Sequence, residues 1–314
     1  MVLHRVSRCA TNFSPLRTTR GDSMKKIVRL LVAVLALSTL SAVAAVPAKA
    51  LASLDETFTG STLLNPNNWV MTYSHGTTDP SSPPCLTAAS SSTTITLAEA
   101  TSISGCASTP TDTPGSGALL LTNSYKNQSS SMLYNSALPT NAGLDISFYQ
   151  AQYGPDNADP ADGISFYLKD GSATGTTAGA FGYGLGYIGI PKALFGIGFD
   201  VYGNFSSRWD SRLTTKTQSC TNSGPGAPFS ATYKNSIVLR GPDTSGSKDG
   251  SSGYCYLAGQ TLGADYFGNS TTSRIQAGKP VRIVVDPTTD ASPKIRVYTW
   301  ASGAPNQDIS TAQS

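Results

Sequence analysis

Beyond residue 50 this 314-residue chain has two glutamates, Glu56 and Glu99, and one histidine, His75. Charge is scarce throughout, with Asp, Glu, Lys and Arg making up 13% of the residues, while Gly numbers 30 and Pro 19. So few strong helix formers among so many turn formers exclude a helical protein and favour an all-β one. The scarcity also limits chemistry. Serine-nucleophile catalysis needs a base, and His75 lies in the turn-like run Tyr73-Ser-His-Gly-Thr77, where a loop histidine is the plainer reading. There is no G-x-S-x-G elbow and no phosphate-binding Gly loop with Lys. Glycoside hydrolysis commonly uses two carboxylates across the scissile bond. The two isolated glutamates form no such motif, and no E-x-D-x-E strand pattern is present. These absences point away from an enzyme and leave an Asp-based glycosidase as the catalytic alternative.

The formal charge of +3 belongs to the first segment. Of the 22 basic residues eight lie in residues 1–50 (Arg5, Arg8, Arg17, Arg20, Lys25, Lys26, Arg29 and Lys49), against Asp22 alone of the 19 acidic ones. Residues 51–314 keep 14 basic and 18 acidic side chains, a net of −4. A nucleic-acid partner needs a basic face and is not expected. Lys25, Lys26 and Arg29 form a basic n-region, Leu30 to Leu40 an apolar core, and Ala48-Lys49-Ala50 a small-x-small cleavage site. Residues 24–50 therefore read as a signal peptide, and residues 1–23 as an extension upstream of the true start at Met24. The apolar run is too short for a membrane anchor. A mature chain of residues 51–314, secreted or held at the cell surface with no membrane span of its own, is expected.

Cysteine usage agrees with export. Cys9 lies in the leader, and Cys85, Cys106, Cys220 and Cys255 lie beyond it. Four cysteines in an exported chain predict two disulfides, with three connectivities open. Pairing neighbours, Cys85 with Cys106 and Cys220 with Cys255, brackets one loop-rich segment each. A zinc site is the alternative, but there is no CxxC spacing and no nearby His.

Period-2 alternation marks the strands. Leu144, Ile146 and Phe148 share one face, as do Ile164, Phe166 and Leu168, and Ile197, Phe199 and Val201. Ser236–Arg240, Val281–Val285 and Ile295–Trp300 read as further strands. Turn clusters such as Gly154-Pro-Asp-Asn157 separate them. The segment from Pro80 to Pro114 is Ser/Thr-rich and weakly patterned. It is expected to be a loop with short edge strands, pinned by Cys85–Cys106 rather than by a core.

One cluster suits a hard cation and a sugar. In Gly198-Phe-Asp-Val-Tyr-Gly-Asn204, Asp200 offers a carboxylate, Tyr202 a carbonyl and a ring, and Asn204 an amide oxygen; Asp210 adds a carboxylate six residues later. Calcium takes six to eight such oxygens. The competing reading is a strand end whose Asp and Asn cap a turn. Asp162, in Ala161-Asp-Gly163, could accept sugar hydroxyls, although Asp-Gly is by itself a turn signal.

Ala161-Asp-Gly-Ile-Ser-Phe-Tyr-Leu168, Leu185-Gly-Tyr-Ile-Gly189 and Gly198-Phe-Asp-Val-Tyr-Gly-Asn-Phe-Ser206 together resemble the legume-type (L-type) lectins, in their bacterial exported branch. Thr57-Phe-Thr-Gly60, Asn68-Trp69, Pro84-Cys-Leu-Thr87, Asn235–Pro242, Gly253–Leu257 and Val281–Pro287 follow in family order over roughly residues 54 to 300. The resemblance implies a concanavalin A-like (jelly-roll) antiparallel β-sandwich that binds glycans or glycoconjugates without catalysis. It implies Asp162 as the sugar-binding aspartate after a cis peptide, Gly186 as a backbone N–H donor to the sugar, and Tyr202 as the ring under the pyranose. Asn204 would serve both sugar and calcium, with Asp200, Tyr202 and Asp210 as further calcium ligands.

Two departures stand out. Where plant members carry a transition-metal Glu, this chain has Gly198, and their transition-metal His has no counterpart, so no transition metal is expected. Only 14 residues follow Trp300, so the last strand or strands of the sandwich are expected to be missing, as in a fragment of a longer surface adhesin. A structural or interaction sandwich without a sugar site is the alternative function.

Overall fold

A computed structural model of the chain describes residues 54–78, 80–154, 161–173, 177–206, 233–241, 254–263, 266–267, 273–290 and 294–300, and the backbone of 307–309. It is built almost wholly of strands, as the alternating sequence predicts. β1 (Trp69–His75) pairs with β6 (Gln128–Tyr134). A small sheet runs β3-β4-β2-β5, from β2 (Cys85–Ser90), β3 (Thr94–Thr96), β4 (Ser102–Ala107) and β5 (Leu119–Leu120). A third sheet, in the order β14-β13-β12-β7, joins β7 (Leu144–Ala151), β12 (Gly278–Val285), β13 (Ile295–Thr299) and β14 (Gln307–Ile309). The fourth, in the order β11-β10-β9-β8, joins β8 (Gly163–Lys169), β9 (Ala193–Asp200), β10 (Ser236–Gly241) and β11 (Cys255–Thr261). Among the described pairings β2–β4 is parallel and the others are antiparallel.

The core lies between the third and fourth sheets. Ile197, Phe199, Ile237 and Leu239 of the β8–β11 sheet share one buried cluster with Phe148, Val281, Ile283 and Val297 of the other. Phe148 meets Phe199 edge to face, with centroids 5.9 Å apart. Alternation makes this possible: every second residue of β9 points inward, so one strand supplies a continuous apolar row.

Two expectations need correction. The segment from Pro80 to Pro114 is not pinned by its disulfide alone. It forms β2, β3 and β4, whose Leu86, Ile95 and Ile103 enter the main core beside Leu97. Single Leu and Ile residues spaced by Ser and Thr suffice, because each inward position is filled while its neighbours face out. The strand expected to be missing after Trp300 is also found in part. β14 continues the third sheet, with Val297 opposite Ile309 and Thr299 opposite Gln307. Cys85–Cys106 is formed as expected. Cys255 is disulfide-bonded too; Cys220 and Cys9 lie outside the described residues.

Candidate functional site

The outer face of β9 carries Gly196, Gly198 and Asp200, and the two glycines are openings for rings. A Cβ at Gly196 would stand 2.6 Å from the Tyr187 ring, and one at Gly198 would stand 2.3 Å from the Phe205 ring. Tyr187, Phe205, Leu185, Val238 and Tyr254 form a second apolar cluster. The 180–190 loop is held in place by Ser165, whose hydroxyl donates to the Leu185 carbonyl at 2.9 Å.

Asp200 ends β9 fully buried. Its Oδ1 accepts the Gly203 N–H and its Oδ2 the Phe205 N–H, each at 2.7 Å. Gly203 has φ +97, and a Cβ there would press on the Tyr233–Lys234 backbone at 2.7 Å, so the turn needs this glycine. Burial pushes the Asp200 carboxyl up to about 7; the two N–H donors pull down, the Asp162 charge pushes up and Arg240 pulls down.

The same turn brings in Asp162. Gly163 pairs with Asp200 across β8 and β9, and the Asp162 carbonyl accepts the N–H groups of Val201 (3.0 Å) and Tyr202 (3.2 Å). The Ala161–Asp162 peptide is cis. Asn204 stands between the two amides that Asp200 holds, and its Oδ1 is buried without a hydrogen-bond partner. Tyr202 is half-buried, with Lys234 Nζ 5.4 Å from its ring centroid. Asp162, Asp200, Tyr202 and Asn204 thus converge on one turn. Asp210 lies outside the described residues.

Gly186 does not offer the donor expected of it. Its N–H donates to the Ala180 carbonyl at 2.9 Å inside its own loop, and its Cα side faces Ser129 and Ser130. Gly182 is the loop residue next to the aspartate: a Cβ there would be 3.9 Å from Asp162 Oδ2. Its φ of +67 is one that glycine adopts freely. In the sequence the only sign of this was the glycine-rich run Gly182-Tyr-Gly-Leu-Gly186.

Sequence reasoning also left out Arg240 as a site residue, although it placed the strand. Arg240 is buried on the outer face of β10. Its Nε donates to the Phe205 carbonyl at 2.7 Å, one terminal nitrogen donates to the Tyr254 carbonyl at 2.6 Å, and the guanidinium lies 5.2 Å from the Phe205 ring centroid. Burial pulls its pKa down to about 10. The available signal was a cation closing an otherwise apolar strand, Ile237-Val-Leu-Arg240.

The turn carries oxygens of the type calcium takes, in the Asp200 carboxylate, the Tyr202 carbonyl and the Asn204 Oδ1, while both Asp200 oxygens already accept backbone amides. Among the described residues no three His, Cys, Asp or Glu side chains gather as a metal site. The Phe205 ring fills the space into which a side chain at position 198 would project.

A scan against protein-family models finds no match, and a search of the curated proteins finds none either.

Proposed function

We propose that this chain is an exported, non-catalytic carbohydrate-binding protein of lectin type, acting outside the cell or at its surface as a free protein or an adhesin module. The observation that carries this reading is the convergence of Asp162, Tyr202 and Asn204 on the Asp200 turn, with an unpaired amide oxygen buried among them. The leader pattern and the Cys85–Cys106 disulfide support export.

In this reading the Asp162 carboxylate accepts two sugar hydroxyls. Hydrogen bonds to a charged acceptor contribute roughly 1.5–3 kcal/mol each. The Tyr202 ring packs against the apolar face of the pyranose, and Gly182 lets the sugar approach Asp162 without a side chain in the way. A bound calcium would supply positive charge behind Asn204 and keep its amide oriented. Asp200, Tyr202 and Asn204 would hold it, with Asp210 as the further carboxylate the sequence suggests.

One observation favours a second reading, an interaction sandwich without a sugar site. Both Asp200 oxygens already accept backbone amides, which is what a turn-capping aspartate does without a ligand. An Asp-based glycosidase gains nothing from Glu56, whose Oε1 and Oε2 accept the Phe58 and Leu64 amides.

Calorimetry on the secreted protein separates these readings. With a glycan that the wild type binds, Asp162→Ala should abolish detectable binding with the melting curve kept. Tyr202→Ala should weaken binding by roughly tenfold, the size of a lost aromatic platform. Binding unchanged in Asp162→Ala would move the site elsewhere.

A further inference from the structure

We infer that Arg240 is the positioning residue of the 200–206 turn, a built-in cation that holds Phe205 and so presents Asn204. Its effect on ligand binding rests on the lectin-type reading; its effect on the turn does not.

A buried guanidinium is costly unless its donors are met. Arg240 meets two of them with main-chain carbonyls from separate segments, Phe205 on the turn and Tyr254 at the start of β11. The planar fork fixes both directions at once, which a flexible ammonium cannot do. Phe205 is therefore gripped through both of its backbone polar groups. Its N–H goes to Asp200 on β9, and its C=O goes to Arg240 on β10. Its ring lies under the guanidinium, in the space left by Gly198, and edge-on to Tyr187 at 6.1 Å. Gly203, on the other side of Asn204, is held by the second Asp200 oxygen. Both neighbours of Asn204 are thus anchored through their backbone, and its Oδ1 is buried without a hydrogen-bond partner among the described residues.

The far end of the grip is rigid as well. The Tyr254 hydroxyl donates to the Ile190 carbonyl and accepts the Ala193 N–H at 2.9 Å, and the next residue, Cys255, is disulfide-bonded. Among the described residues, the titratable groups facing Arg240 include Tyr187, Asp200, Tyr183 and Tyr256. The guanidinium also favours the charged form of Asp200, against the burial that opposes it.

The test compares Arg240→Lys and Arg240→Met with Ile283→Val, a core change on β12 outside the turn, in the full secreted chain. Amide hydrogen exchange is read at Gly203 and Phe205, with Phe148 of β7 as the reference amide; calcium ion alone is then titrated by calorimetry. Arg240→Met should speed exchange at Gly203 and Phe205 at least tenfold relative to the reference amide, and Arg240→Lys should fall between it and wild type. Ile283→Val should leave that ratio unchanged. Calcium affinity should fall in the same order. If Arg240→Met does not fold, the Lys variant carries the comparison. Unchanged exchange at both amides in a folded Arg240 variant would overturn the inference, as would an equal loss of calcium affinity in Ile283→Val. A wild type that binds neither calcium nor glycan would overturn the lectin-type reading, while the exchange ratio would still decide the role of Arg240.

Discussion

The β8–β11 sheet buries both of its faces, and buries them differently. The inner face presents Ile164, Phe199, Ile237 and Leu239 to the opposite sheet, with rings and branched chains filling the space between. The outer face buries Asp200 and Arg240 and leaves Tyr187 Oη, Asn204 Oδ1 and Ser236 Oγ without hydrogen-bond partners. Buried polar atoms of this kind cost stability, and each calls for an explanation. The inner face needs only to be filled. The outer face gives up stability to hold polar groups in fixed directions.

The comparison breaks most visibly at Phe199. Phe199→Ala should cost about 3–5 kcal/mol, read as a lower Tm, because it removes the ring that Phe148 and Phe267 pack against. On the outer face the same order of energy should appear as a pH dependence. Asp200 in the folded chain keeps its proton up to about 7, against the ordinary value of 3.8. Between those pH values the unfolded chain has released the proton and the folded chain has not. The contribution of Asp200 to stability should therefore be full below pH 4, fall through pH 7 and level off above it, while Asp112 and Asp286, whose carboxyls are held low, act in the opposite sense toward acid pH. The total loss should be on the order of 4 kcal/mol, at about 1.4 kcal/mol per pH unit. Thermal melts of calcium-free protein should show this slope, Asp200→Asn should flatten it, and saturating calcium should reduce it by favouring the carboxylate. A smaller effect is expected at Gly198. Gly198→Ala drives a methyl into the Phe205 ring and should cost about 1–3 kcal/mol, with glycan affinity falling along with Tm because the ring belongs to the turn.

Much of the fold was legible where inward residues are large. β7, β8, β9, β10, β12 and β13 all lie where alternation predicts them, because Ile, Phe, Leu and Val mark the buried face. β6 was not legible. Its buried Ser129 and Ser131 face the glycine loop and the Tyr167 hydroxyl, the latter at 2.7 Å, so one buried row is polar and small, while Met132 and Tyr134 pack on the core from the other. β2 to β4 were hidden in the same way by single apolar residues among Ser and Thr. That Asp200, Tyr202 and Asn204 lie together on one turn follows from their local spacing. The donors of the loop were not legible. Which N–H of the 182–186 run stays uncommitted depends on a bond closed inside the loop, from Gly186 to Ala180. Arg240 acts across strands, through two carbonyls that spacing along the chain does not bring together.

The proposed function is tested most directly by one measurement, glycan-array binding of the secreted wild-type chain with calcium and with chelator. The outer face predicts binding to a defined set of glycans in calcium, and loss or strong weakening of that binding in chelator. A folded wild type that binds no glycan in either condition would contradict it, and would leave the polar turn as a device for holding a sandwich together.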